Sequence, residues 1–123
     1  MGLVRGSLGS SLSEVSMAKI IWRKRPLQLL DYYIGNASEE FGQSTALKWA
    51  EEVEAFEDRV KRYPLSYPPE SLLRGKEKAF RQCHIMNRRF KIIYFYDEVK
   101  DAVTVMDIWD TRMNPKTLVH RIH

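Results

Sequence analysis

The apolar residues of this chain change period partway along it. Leu27, Leu30, Ile34, Ala37 and Phe41, then Leu47, Ala50, Val53, Phe56 and Val60, recur at spacings of three and four, the repeat of one helix face. From residue 79 the pattern becomes short runs of β-branched and aromatic side chains: AFRQCHIM (79–86), RFKIIYFYD (89–97) and AVTVMDIW (102–109). These read as strands, as does the shorter AKIIWR at 18–23. Pro26 suits the first turn of a helix and Gly42 its end. Pro64, Pro68 and Pro69 stop the second helix, which runs from about residue 44 to 62. The expected order is β-α-α-β-β-β. Helices early and strands late define an α+β fold, with an N-terminal αα-hairpin packed on one face of a curled, mainly antiparallel sheet.

The rest of the chain bounds this reading. At 123 residues, 44% hydrophobic and 29% charged, it reads as one small soluble globular domain, since a second domain would leave neither half enough core. No stretch approaches the ~18 consecutive apolar residues of a membrane span. Cys83 is the one cysteine, so no internal disulfide forms, and a reducing cytoplasm is compatible with the composition. No cluster of metal-ligating residues is apparent, and neither a metal nor another cofactor is expected. Residues 1–16, MGLVRGSLGSSLSEVS, are rich in Gly and Ser, lack periodicity and have no apolar core of signal-peptide length. They read as a vector-derived scar or a disordered leader, with a native flexible arm as the alternative, so that residues 17–123 form the domain. GxGxxG, P-loop, HExxH and CxxC motifs are absent.

Charge is unevenly placed. The net charge is +4, but residues 26–60 hold eight acids against Lys48 and Arg59, a local −6. Residues 74–91 hold seven bases (Arg74, Lys76, Lys78, Arg81, Arg88, Arg89 and Lys91) against Glu77, a local +6. Such a chain can offer one face to a polyanion and keep the other solvated; two ordinary solvated surfaces are the plainer reading.

Strand register suggests where chemistry would sit. If Asn87-Arg88 is a two-residue turn, Ile85 opposes Phe90, His84 opposes Lys91 and Gln82 opposes Ile93. Period-two alternation then places Gln82, His84, Lys91 and Ile93 on the face turned away from the helices, while Cys83, Ile85, Phe90, Ile92 and Tyr94 face them. A His opposite a Lys is unfavourable unless an anion sits between them, and the Lys charge lowers the His pKa. A neutral His beside a cation can activate a hydroxyl near a phosphate; a solvated strand His is the plainer alternative. Arg112, just past the last strand, is a candidate for bidentate phosphate contact or for a surface pair with Asp110. Tyr94 and Tyr96 belong to the core before they belong to a base-stacking platform. Tyr63 and Tyr67 in the Pro-rich loop are expected at the surface, and His120 and His123 in an irregular tail.

The element order, the Arg81-bearing strand, the run Arg89-Phe90-Lys91-Ile92-Ile93-Tyr94 and the closing Ile108-Trp109-Asp110-Thr111-Arg112-Met113-Asn114-Pro115 together resemble the RelE/ParE toxin superfamily of bacterial type II toxin–antitoxin systems, over roughly residues 18–118. The resemblance implies a cytoplasmic toxin held inactive by a cognate antitoxin whose acidic C-terminal segment wraps it. Its RelE-like branch cleaves mRNA on the ribosome without metal, by attack of a 2′-hydroxyl on the adjacent phosphate. Carried onto this chain, Lys91 is the strand base and Arg112 the base after the final strand. Gln82 and His84 occupy a position pair that is usually basic. The leading expectation is therefore an endoribonuclease with His84, Lys91 and Arg112 as catalytic residues. Arg74, Lys76, Lys78, Arg81, Gln82, Arg88 and Arg89 would contact RNA or the antitoxin. The ParE-like branch implies the alternative, inhibition of DNA gyrase by binding. A third reading is a degenerate toxin that retains only its antitoxin.

Overall fold

The computed structural model describes residues 17–122; the expectations for residues 1–16 and for His123 lie outside them. In chain order come β1 (Lys19–Trp22), α1 (Lys24–Phe41), α2 (Gln43–Arg62), a 3₁₀ turn (Ser71–Leu73), β2 (Arg81–Ile85), β3 (Phe90–Asp97), β4 (Ala102–Asp110) and α3 (Pro115–Arg121). The sheet order is β1-β4-β3-β2. β1 runs parallel to β4, and the other two pairings are antiparallel. The fold is α+β, with the helical hairpin on one face as expected.

That face carries the larger core. Trp49, Val53, Phe56 and Val60 of α2 and Ala37 of α1 pack on Cys83, Ile85, Phe90, Ile92, Tyr94, Val103, Val105 and Ile108 of the sheet. The buried stripe of α2 therefore starts from Trp49, not from Leu47. Trp49 is 3% exposed and Leu47 59%. The larger ring has the sheet side, where it stacks on Tyr33 at 5.5 Å and meets Phe90 at 4.7 Å, and such rings contribute most when buried together. Phe41 and Leu27 also stay exposed, so the expected stripe of α1 is only partly buried.

The opposite face is covered too, which sequence reading did not anticipate. Leu73, Phe80, Ile93, Trp109, Leu118 and Ile122 form a second core there, because the tail expected to be irregular is the helix α3. Asn114 caps it, its side chain accepting from the Lys116 amide at 3.0 Å, and Pro115 opens the first turn, a favourable pairing at a helix start. His120 lies exposed on this helix. Lys76 Nζ donates to the carbonyls of Val119 and Ile122 at 3.0 and 3.1 Å, satisfying acceptors at the end that lacks them. Arg121 pairs with buried Asp107 at 2.5 Å and lies over the Trp109 ring. A bulge beside Met106 shifts the β4 register between Ile93 and Tyr94. It turns Asp107 and Trp109 toward α3 while Val105 and Ile108 face the hairpin, the re-aiming that a bulge provides.

The β2–β3 turn forms as expected. Asn87 and Arg88 have φ of 55° and 67°, and the Arg89 amide donates to the Met86 carbonyl at 3.1 Å. The register is Ile85 with Phe90, His84 with Lys91 and Gln82 with Ile93.

Candidate functional site

The register brings His84 and Lys91 together on the sheet face turned away from the hairpin. The anion that such a pair calls for is supplied by the chain itself. Glu70 Oε1 accepts from Lys91 Nζ at 2.6 Å, and the two side chains are 1% and 14% exposed. Glu70 Oε2 accepts from the Leu72 amide at 2.9 Å, capping the 3₁₀ turn. The segment that delivers Glu70 runs along β2: the Gln82 amide donates to the Pro68 carbonyl at 3.0 Å and the Glu70 amide to the Phe80 carbonyl at 2.9 Å. The Pro-rich loop thus extends the sheet edge and tucks a carboxylate under it. His84 stays half-buried, and its pKa is pushed below the ordinary value of 6.5, first by burial and then by Arg88 and Lys91. A neutral imidazole is the favoured form near pH 7.

Arg112 is placed elsewhere. It lines a cleft of about 490 Å³ on the hairpin side, with Tyr33, Trp49, Arg89, Phe90 and Asp110. Tyr33 and Phe90 rings lie 4.7 Å apart. Asp110 grips Arg112 with both oxygens: Nε to Oδ1 at 3.1 Å and Nη2 to Oδ2 at 2.9 Å, with the Arg112 amide also donating to Oδ1 at 2.9 Å. Hydrogen bonding from Arg112 holds the Asp110 carboxyl below its usual range. Of the two uses open to Arg112 in the sequence, the surface pair is the one formed. The structure therefore joins His84 with Lys91 and sets Arg112 across the sheet from them.

The remaining sequence-derived bases divide into two groups. Arg81 donates to the carbonyls of Leu65 and Tyr67 at 3.3 and 2.7 Å and so fastens the loop. Lys76 holds the end of α3, and Lys78 lies over the Phe95 ring at 4.9 Å. Gln82 is half-buried, while Arg74, Arg88 and Arg89 are exposed. Tyr63 reaches solvent as expected, but Tyr67 packs on Phe56 and beneath Arg59. Burial pushes the Tyr94 phenol up to about 12, and its hydroxyl donates to the Pro64 carbonyl at 2.8 Å. Among the described residues no group of three or more His, Cys, Asp or Glu side chains is placed to hold a metal ion. No helix there is long and apolar enough to cross a membrane. Glu70 was missed because an acid between Pro68-Pro69 and Ser71 reads as solvated loop. Its one signal is its place as an N-cap ahead of Ser71-Leu72-Leu73.

No protein-family model matches the chain, and no curated protein matches it. Among solved structures, a chain described as part of the chromosomal ParDE TA system from P. aeruginosa is similar to it with a TM-score of 0.60 at 14% identity, over 77% of this chain and 97% of that one. The two share a fold.

Proposed function

We propose that this chain is the toxin of a toxin–antitoxin pair and that it disables its target by binding it, with DNA gyrase the target its resemblance supplies. The fold shared with a chain of a ParDE system supports the toxin reading. One observation carries the mode of action. Lys91 and Arg112, the cations a phosphoryl-transfer site would need, are each held by a carboxylate of the same chain and lie on opposite sides of the sheet. Electrostatic catalysis depends on donors preorganised toward developing charge; donors oriented toward Glu70 and Asp110 are preorganised for those carboxylates instead. Exposed Arg74, Arg88 and Arg89 remain available to an acidic antitoxin segment in the cytoplasm.

A second reading has its own support. His84, favoured neutral beside Lys91 and Arg88, has the state a general base requires, and it keeps ribosome-dependent mRNA cleavage in view. Regulated expression in a bacterial host separates the two. Under the binding reading growth stops, primer extension shows intact mRNA, and the purified protein inhibits supercoiling by gyrase. Discrete mRNA cleavages that disappear in His84→Ala would overturn it in favour of the nuclease. Normal growth without any antitoxin would leave neither activity standing.

A further inference from the structure

The hairpin buries one side on the sheet and leaves a groove along its back. Two adjoining hollows of about 370 and 460 Å³ follow the seam between α1 and α2 and share Ile34 and Leu47. Leu30, Ala50 and Val53 continue the apolar floor at one end. Small residues, Gly35, Ser38 and Ala46, flank the other, and a Cβ added at Gly35 would meet nothing within 4 Å. Leu47 is 59% exposed in the middle. Along the α2 edge stand Glu51, Glu54 and Glu57. The nearby base, Lys48, is turned to Glu52 at 3.8 Å.

We propose that this groove receives an amphipathic helix of a partner protein whose apolar stripe is flanked by Lys or Arg. Two antiparallel helices present a furrow that a third helix fills ridge into groove. The part of α2 that borders it, residues 44–57, is about 20 Å long at 1.5 Å per residue, room for a helix of about four turns. The one-signed rim chooses the charge. An acidic segment would meet Glu51, Glu54 and Glu57 head on, so this surface does not suit the partner proposed above for the basic side. A symmetric second copy would set the same acids against each other. The proposal is independent of the toxin reading.

The test is fluorescence anisotropy of the full chain with a labelled Leu/Lys helical peptide of about four turns, its Leu residues at helical spacing. Leu47→Asp is the decisive variant because it removes apolar surface while adding negative charge. Groove binding is expected to weaken about tenfold or more in Leu47→Asp, and similarly in Glu51→Lys/Glu54→Lys. The control Glu77→Lys/Glu98→Lys, with the same change in net charge at other sites, is expected to move it less than about twofold. Equal or tighter binding by Leu47→Asp means ionic adsorption and overturns the proposal. So does equal binding of the matching Leu/Glu peptide, or no binding to the unaltered chain. A dimer seen by sedimentation and dissociated by Leu47→Asp would make the occupant a second copy, and would likewise overturn it. Circular dichroism confirms that each exposed-site variant is folded.

Discussion

Glu70→Ala tests the central contact of the loop-covered face. Glu70 is 2% exposed, with Lys91 Nζ at 2.6 Å on one oxygen and the Leu72 amide at 2.9 Å on the other. Its removal leaves the Lys91 ammonium, 14% exposed, without a counter-charge. Breaking a buried pair in this way costs about 3–5 kcal/mol, and loss of the cap about 1 kcal/mol more. The flexible Lys stem can carry its ammonium partway to water, which favours the lower end. At about 4–8 °C per kcal/mol for a domain near this size, melting should fall by about 12–30 °C. Glu70→Leu/Lys91→Met, which removes both charges, should recover most of the loss, because an apolar pair of similar volume is often neutral. Urea and thermal melts of the single and double variants measure this. A Glu70→Ala cost under about 1 kcal/mol, or a double variant no more stable than Glu70→Ala, would refute the assignment of a buried pair.

Three further outcomes follow from the geometry. In NMR titration His84 should titrate below 6.5, since burial first and then Arg88 and Lys91 push it down. Its contribution to stability is present above its unfolded value and is lost as pH falls through the lower folded one; Lys91→Met should move the midpoint up. Asp110, held below its ordinary range by Arg112, contributes above that range, and its contribution is lost as pH falls through the depressed folded value. Arg112→Ala should therefore flatten the acid limb of a stability–pH curve, and an unchanged limb would count against the pair. Arg88 holds φ at 67°, so Arg88→Gly should stabilise the chain by up to about 1 kcal/mol, because glycine enters that region without steric cost; a lower melting temperature would contradict the turn.

The hairpin and the three late strands were legible because local signals agree there. Two helical repeats end at Gly42 and at a cluster of prolines, and Asn87-Arg88 fixes a register in which every opposed pair follows. The turn also forms with Arg in its second place, since the strands on either side, Cys83 with Ile92 and Ile85 with Phe90, are buried and tolerate no one-residue slip. The second core was not legible. Asn114-Pro115 with Leu118 and Ile122 is a short helix signal that only the apolar surface of Ile93 and Trp109 makes stable, and the sequence pattern alone does not show that the chain folds back onto that surface. The position of Arg112 was lost in a similar way. A bulge at Met106 resets the alternation of β4, so side chains past it cannot be assigned to a face by counting from Ala102.

That covered face also bears on chemistry. For a phosphate to replace Glu70 at Lys91, the carboxylate must leave, and leaving undoes its ion pair and the cap on the 3₁₀ turn together. The cost is about 3–5 kcal/mol, equivalent to about 10²- to 10⁴-fold in affinity at 1.4 kcal/mol per decade. A charge-assisted hydrogen bond returns about 1.5–3 kcal/mol, so one phosphate at Lys91 gains little or nothing net over the pair it displaces. His84 sits beside a cation already satisfied by a closer anion, and the other candidate cation lies beyond the sheet with Asp110. Binding through the exposed arginines of the β2–β3 turn needs no such rearrangement. The pairing of Lys91 with Glu70 thus supports the binding reading proposed above.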